Sequence, residues 1–169
     1  MADYVLERRL WVPDARPHVF DLFAETRNLS RLVPPSLRFR WLRPPPEQLG
    51  AGVVVDFQMR AFGLPARYRA FIREFDPPYR FVAVQIWGPF ARWEHRHRFL
   101  EGARDGAREG PVGTWIEDRL TYRLPMGVIG RLAHAASVKR RVSNVLDVRD
   151  QRLLLMLGSS GGGAGTAAL

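Results

Sequence analysis

Apolar and polar positions alternate with a period of two along much of the chain, then switch to a helical period near its end. Residues 3–12 (DYVLERRLWV) mix β-branched and apolar residues in partial alternation and predict a first strand. Pro13-Asp14 breaks it. Asp14 is placed to cap a helix over 15–25, in which Val19, Phe20 and Phe23 share one face. A second short helix is predicted over 28–33, stopped by Pro34-Pro35. From there to about residue 124, turn signals recur at Pro44-Pro45-Pro46, Gly50–Gly52, Gly63–Pro65, Asp76-Pro77-Pro78, Gly88-Pro89 and Gly102–Gly113. Apart from the short 47–49, the segments between them are about nine to twelve residues long, the spacing of an antiparallel meander. Residues 126–157 contain no proline, and Ile129, Leu132, Ala136, Val142, Val145, Leu146, Leu153, Leu154 and Leu157 recur near helical spacing. They predict one amphipathic helix of about 30 residues, about 45 Å long, that Gly158 ends. The Gly/Ser/Ala stretch over 158–169 reads as a flexible tail.

The order is therefore strand, two short helices, six strands, one long helix, which is an α+β chain with a single domain over 1–157. A curved antiparallel seven-stranded sheet can wrap around the C-terminal helix, and the space between them is the natural place for a cavity.

Composition narrows the chemistry. The 169 residues suit one domain, and 46% apolar residues suffice for a real core. There is no cysteine, so disulfides, thiol nucleophiles and cysteine metal sites are excluded. Asp3, Glu7, Arg8 and Arg9 near the start do not read as a signal peptide, and no stretch approaches the roughly 20 apolar residues of a membrane span. A cytoplasmic protein is expected. The formal net charge of +9 invites a nucleic-acid reading, but the basic residues are scattered and all but Lys139 are arginine. A solvated arginine-rich surface is the simpler reading, with association to RNA or the ribosome kept as an alternative. Nothing in the sequence sets an oligomeric state.

The most informative segment is Arg92–Phe99. One face carries Trp93, His95, His97 and Phe99, the other Arg92, Glu94, Arg96 and Arg98. The charged face belongs in water, which turns both histidines inward. The following strand places Ile116, Asp118, Leu120 and Tyr122 on one face and Trp115, Glu117, Arg119 and Thr121 on the other. Charge suggests the register. Setting Glu94 opposite Arg119 and Arg96 opposite Glu117 pairs opposite charges. A slip of one step either way opposes Glu94 to Glu117, or Arg96 to Arg119 and Arg92 to Arg123. Each such contact is worth about 0.2–1 kcal/mol. The favoured register brings His95 opposite Asp118, His97 opposite Ile116 and Trp93 opposite Leu120.

A His95–Asp118 contact facing the interior has three readings: a structural polar contact in an apolar core, an anchor that orients a ligand, or acid–base chemistry with Asp118 fixing the histidine tautomer. His95, His97 and Asp118 also have the ligand types of a two-histidine, one-carboxylate metal centre. Same-face histidines commonly occur without metal, so none is assigned. His18 and His134 stand isolated in helical segments and read as ordinary. Tyr68 shares a face with Ala66, Ala70 and Ile72, while Phe57 and Met59 alternate with Asp56, Gln58 and Arg60. The expected lining of a cavity is thus Phe57, Met59, Tyr68, Trp93, Phe99, Leu120 and Tyr122, with His95, His97 and Asp118 at its polar end. Phe39, Trp41 and Trp87 add aromatic surface. No phosphate loop, dinucleotide fingerprint, nucleophile elbow or zinc-protease helix is present, and no cofactor is assigned.

Asn28-Leu29 with Leu32-Val33-Pro34-Pro35, Phe62-Gly63-Leu64-Pro65, Asp76-Pro77-Pro78, Gln85 with Gly88-Pro89, Trp93-x-His95-x-His97-x-Phe99, Gly113-Thr114, Asp118 with Tyr122, and Leu124-Pro125-Met126-Gly127 occur in that order. Over about residues 3–157 the chain resembles the START-like, pollen-allergen-like helix-grip superfamily (SRPBCC), in its bacterial polyketide cyclase/dehydrase-like branch. The resemblance implies a hydrophobic pocket between sheet and helix, used across the superfamily for lipids, sterols, polyketides and plant hormones. Most members bind or carry ligands, and a minority catalyse aromatic ring closure and dehydration. No catalytic set transfers residue by residue. The longer loop Glu101–Gly113 and the Gly/Ala tail depart from the relatives. The leading reading is binding of a small hydrophobic or aromatic, lipid- or polyketide-like ligand. The alternative is a polyketide cyclase or dehydratase using His95 or His97 with Asp118.

Overall fold

Among the described residues, the alternation of the chain is realised as seven strands. The computed structural model describes residues 3–61, 63–104, 112–125 and 138–160. Strands β1 (Tyr4–Val12), β2 (Arg40–Trp41), β3 (Val54–Ala61), β4 (Leu64–Asp76), β5 (Arg80–Trp87), β6 (Arg92–Ala103) and β7 (Val112–Arg123) form one sheet. Their order is β1-β7-β6-β5-β4-β3-β2, so six strands meander and β1 closes against the last of them. All pairs are antiparallel. Helices α1 (Arg16–Ala24) and α2 (Thr26–Leu32) and a short 3-10 turn at Pro35–Leu37 fill the connection between β1 and β2. The long helix α3 spans Lys139–Ser160. Among the described residues, no helix is long and apolar enough to cross a membrane.

Helix boundaries differ from expectation in ways that local chemistry explains. The residue that caps α1 is Ala15, and no side chain caps it. Asp14 sits one residue earlier, where its carboxylate accepts from the Ala15 N–H at 2.7 Å and meets His18 Nδ1 at 2.8 Å. A negative charge thus still faces the N-terminal turn. Helix α2 begins at Thr26, before Asn28, because the Thr26 N–H and hydroxyl are taken up by the carbonyls of Glu47 and Pro46. Helix α3 runs through Gly158 to Ser160. Glycine costs only about 1 kcal/mol inside a helix and does not by itself stop one. The predicted first half of this helix, with Ile129, Leu132, His134 and Ala136, lies outside the described residues, as do Phe62, residues 105–111 and the tail from 161.

The inner face of the sheet carries two apolar clusters. Phe20 and Phe23 of α1 pack edge-on against Phe99 of β6 at 5.3 Å, joined by Val12, Phe81, Ile116 and Leu153. Tyr122, Leu120, Leu124, Val138 and Val142 form the second, with Tyr4, Leu6, Phe90 and Trp93 against it. Fully burying one such large apolar side chain contributes about 1.5–3 kcal/mol. Gly113 is needed where β7 approaches β1. A Cβ there would lie 2.3 Å from the Val12 carbonyl oxygen and 2.6 Å from the Trp11 ring.

The β6–β7 register is not the one that charge favours. His97 faces Asp118, His95 faces Leu120 and Trp93 faces Tyr122, while outside Arg96 opposes Arg119 and Arg92 opposes Arg123. The expected Glu94–Arg119 and Arg96–Glu117 oppositions, and His95 directly opposite Asp118, are not formed. The slip is by a whole pleat, so every side chain keeps its face. Two things offset the like charges. Neighbouring strands and the N-terminus supply counter-ions: Arg119 pairs with Glu7 of β1, Glu94 with Arg73 of β4, and Asp3 reaches both Arg92 and Arg123. Exposed ion pairs are also worth only about 0–1 kcal/mol each, less than the fit of Trp93 on Tyr122 and Phe99 on Ile116 inside.

Candidate functional site

Between the two apolar clusters lies a belt of charge. Alternation on β6 turns His95 and His97 inward, and on β7 it turns Asp118 inward. On α3, Val142, Leu146, Arg149, Leu153 and Leu157 follow each other at three- and four-residue steps and all are buried. Arg149 thus takes a core position of an otherwise apolar stripe. Asp118 is 3% exposed, His97 7% and Arg149 8%, while His95 is partly open.

Asp118 is the hub. Its Oδ1 accepts from His95 Nε2 at 3.0 Å, across a diagonal of the β6–β7 ladder. The same oxygen lies 2.6 Å from His97 Nδ1, without the alignment of a hydrogen bond. Oδ2 accepts from Arg149 Nη2. Arg149 turns its Nε and Nη2 to the Asp150 carboxylate at 3.0 and 2.5 Å, and its guanidinium stands 5.6 Å from the Phe23 ring. His97 is clasped by rings, with Phe81 at 4.4 Å, Phe23 at 5.4 Å and His95 at 3.9 Å. Nearby, Arg8 of β1 reaches Asp147 and Ser143 of α3, a second polar tie between sheet and helix.

These surroundings set the protonation states. Burial alone would raise Asp118, but the histidines and the Arg149 guanidinium outweigh it and hold the carboxyl well below its ordinary value. Burial pushes His97 down to about 3, so it is neutral at physiological pH. Burial would lower Arg149, and the two carboxylates reverse that and keep it charged. Asp150 is raised, burial outweighing the arginine. An ionised carboxylate only accepts, so His95 carries its proton on Nε2 when neutral and leaves Nδ1 with a lone pair. For His97 the proton belongs on Nδ1, because a bare nitrogen 2.6 Å from a carboxylate oxygen would be repelled.

The ligand atoms of His95, His97 and Asp118 lie within 4.8 Å of one another, the donor set of a metal site. Ligands about 2.0–2.1 Å from a tetrahedral zinc are roughly 3.3 Å apart. Contacts of 2.6 and 3.0 Å to a single oxygen are instead those of direct pairing, with Arg149 holding the other oxygen.

The expected His95–Asp118 contact is present, although His97, not His95, stands directly opposite Asp118. Trp93 packs at a tilt against Phe90, 4.6 Å between ring centres, and lies 6.1 Å from Tyr122. Phe99, Leu120 and Tyr122 are fully enclosed within the two clusters. Phe57 and Tyr68 stack at 5.2 Å on β3 and β4, with Phe39 and Trp41 against Phe57. Met59 shares their face. This group occupies the opposite wing of the sheet, separated from β6 by β5. Arg149 and Asp150 are absent from the sequence-based site. The signal for Arg149 is in the sequence: the apolar stripe of α3 skips from Leu146 to Leu153, and Arg149 fills the missing step.

Comparison with known proteins agrees with this architecture. A START superfamily protein from Mycobacterium smegmatis superposes with a TM-score of 0.66 at 11% identity, covering 92% of this chain and 97% of that one. TTHA0849 from Thermus thermophilus gives 0.62 at 22% identity, covering 90% and 99%. Ara h 8.0201 gives 0.59 at 13%, covering 90% and 99%. These likenesses establish the helix-grip fold. No protein of curated function matches by sequence. The family described as polyketide cyclase / dehydrase and lipid transport matches over residues 12–146, and the chain belongs to that family.

Proposed function

We propose that this protein binds a small hydrophobic or aromatic molecule, lipid- or polyketide-like, between the inner face of the sheet and α3. Trp93, backed by the enclosed Tyr122, and the Phe57–Met59–Tyr68 wing contact its apolar body, and His95, with Asp118 and Arg149 behind it, orients its polar end. The observation that carries this reading is a charged cluster set between two aromatic clusters. Replacing a buried ion pair by apolar residues of similar volume is often neutral or stabilising, so folding alone does not call for it. An anchor inside a greasy site does, because a few placed polar groups fix orientation where dispersion cannot. Within the cluster His95 is the partly open member, and its Nδ1 lone pair suits a ligand hydroxyl. Naphthol, neutral and flat with one hydroxyl, is a direct probe. Its fluorescence titration should show saturable binding that His95→Phe weakens several-fold while the circular dichroism spectrum is retained. Unchanged affinity in the variant refutes the anchor.

A second reading, cyclase or dehydratase chemistry, rests on the His95–Asp118 pairing. Asp118 fixes the tautomer and steadies the imidazolium, so His95 Nδ1 is the base of choice. His97, held neutral with its proton toward Asp118, does not fit that role. The dehydration step takes a proton from the carbon next to a carbonyl onto Nδ1. The electron pair forms the double bond as the β-hydroxyl leaves, and the imidazolium returns the proton to make water. Turnover of a β-hydroxy ketone by wild type and its loss in His95→Gln would support this reading; equal rates with and without the protein would exclude it for that substrate.

A further inference from the structure

The outer face of the sheet carries a site of a different kind. Among the described residues thirteen arginines lie in strands; register places eleven of them on that face, Arg73 at a bulge of β4 reaches Glu94 there, and Arg8 faces inward. Alternation alone explains their turning outward. It does not explain why Arg80 opposes Arg98, Arg92 opposes Arg123 and Arg96 opposes Arg119 in direct cross-strand pairs. The Arg92–Arg123 pair is bridged by Asp3, whose carboxylate meets both at 2.6 Å. Among the described residues, no carboxylate bridges Arg96 and Arg119. Among the described residues the acid nearest Arg96 is Glu94 at 3.7 Å, which already serves Arg73 and Arg92 at 3.2 Å each, and Arg119 pairs with Glu7 at 3.4 Å. Arg96 Nε is buried without a hydrogen-bond partner. Both arginines open onto a groove of about 460 Å³, whose walls include Arg9, Arg98, Glu7 and Glu117.

We propose that this groove binds a phosphate-bearing small molecule, with the phosphate held between Arg96 and Arg119. Opposed residues of neighbouring strands stand about 4.5–5.5 Å apart at Cα, so two guanidinium forks can converge on one tetrahedral anion from its two sides. The dianion bridges this pair as Asp3 bridges Arg92–Arg123, because Glu94 and Glu7 each reach a single member of it, at 3.7 and 3.4 Å. The groove has the size of a small-molecule site. Arg9, stacked 4.1 Å over Trp115, is held in place at its rim. A polynucleotide fits less well. Glu7, Glu94 and Glu117 interrupt the basic surface, and the Trp115 face that a base would stack on is covered by Arg9.

Isothermal titration of the full chain with inorganic pyrophosphate at low ionic strength tests this, independently of what the inner face binds. Saturable one-site binding is expected, weakened at least tenfold by Arg96→Gln or Arg119→Gln and less than twofold by Arg67→Gln. That third variant removes the same charge from β4 on the same face. Equal loss in all three variants would reduce the effect to net charge and overturn the site. So would a failure of wild type to show saturable binding. Binding of a single-stranded oligonucleotide without pyrophosphate would replace the site by an extended nucleic-acid surface.

Discussion

Replacing Arg149 by methionine should be among the most damaging single changes in the described structure. Methionine follows the arginine stem and keeps the contact with Phe23, so the loss is one of charge and hydrogen bonds more than of volume. Asp118 is then left with one oxygen unpaired at 3% exposure, and Asp150 loses both of its contacts to the guanidinium. Removing one partner of a buried ion pair costs about 3–5 kcal/mol, and because His95 still holds Oδ1 the lower end applies, about 3 kcal/mol. For a chain of this size that lowers Tm by about 6–12 °C. Urea unfolding followed by circular dichroism measures it directly. A double-mutant cycle sharpens the result: Asp118→Asn removes the stranded charge, so Asp118→Asn with Arg149→Met should cost about 2 kcal/mol less than the sum of the two single variants. A loss below about 1 kcal/mol for Arg149→Met, or simple additivity, would refute the coupling of these groups.

Other outcomes follow from the same geometry. His97 titrates near 6.5 when unfolded and near 3 when folded, so the unfolded state binds the extra proton between those values. Its contribution to stability is whole above pH 6.5 and falls by up to about 1.4 kcal/mol per pH unit below it. His97→Phe, filling a ring-lined site, should flatten that slope in urea titrations between about pH 6.5 and 4; an unchanged slope would place the proton elsewhere. Asp118 is depressed in the folded state, so its share is whole above the unfolded carboxyl value of about 3.9 and is lost as pH falls through the folded one. Asp118→Asn should therefore lose acid sensitivity below about pH 4 in the same urea titrations. Gly113→Ala drives a methyl into the Val12 carbonyl and the Trp11 ring and should cost about 1–3 kcal/mol, read by urea denaturation; a neutral effect would show that β1 yields freely there.

Elements and their order are legible in the chain because each is written in local chemistry: alternation for the strands, prolines for the breaks, a stripe for α3. Faces are legible too, since a slip of a whole pleat leaves them unchanged. Register is not, because two strands alone do not carry the charges that decide it. Glu7 answers Arg119, Asp3 answers Arg92 and Arg123, and the aromatic fit inside outweighs what remains. The His95–Asp118 contact is legible despite the slip only because a diagonal across the ladder is within reach of an imidazole. Arg149 is the harder case. A search for apolar periodicity passes over the one charged residue in a stripe, although a lone charge at a core position most needs a buried partner of opposite sign. Asp118, the inward carboxylate of β7, is that partner.

Whether the space between sheet and helix holds an apolar guest anchored by this cluster is open to a direct test. Mass spectrometry of the purified protein under native conditions, beside the same sample denatured, supplies it. A discrete added mass is expected that disappears on denaturation and is released as a small apolar or aromatic compound. A single apo mass under both conditions, unchanged after incubation with naphthol, would contradict the binding role.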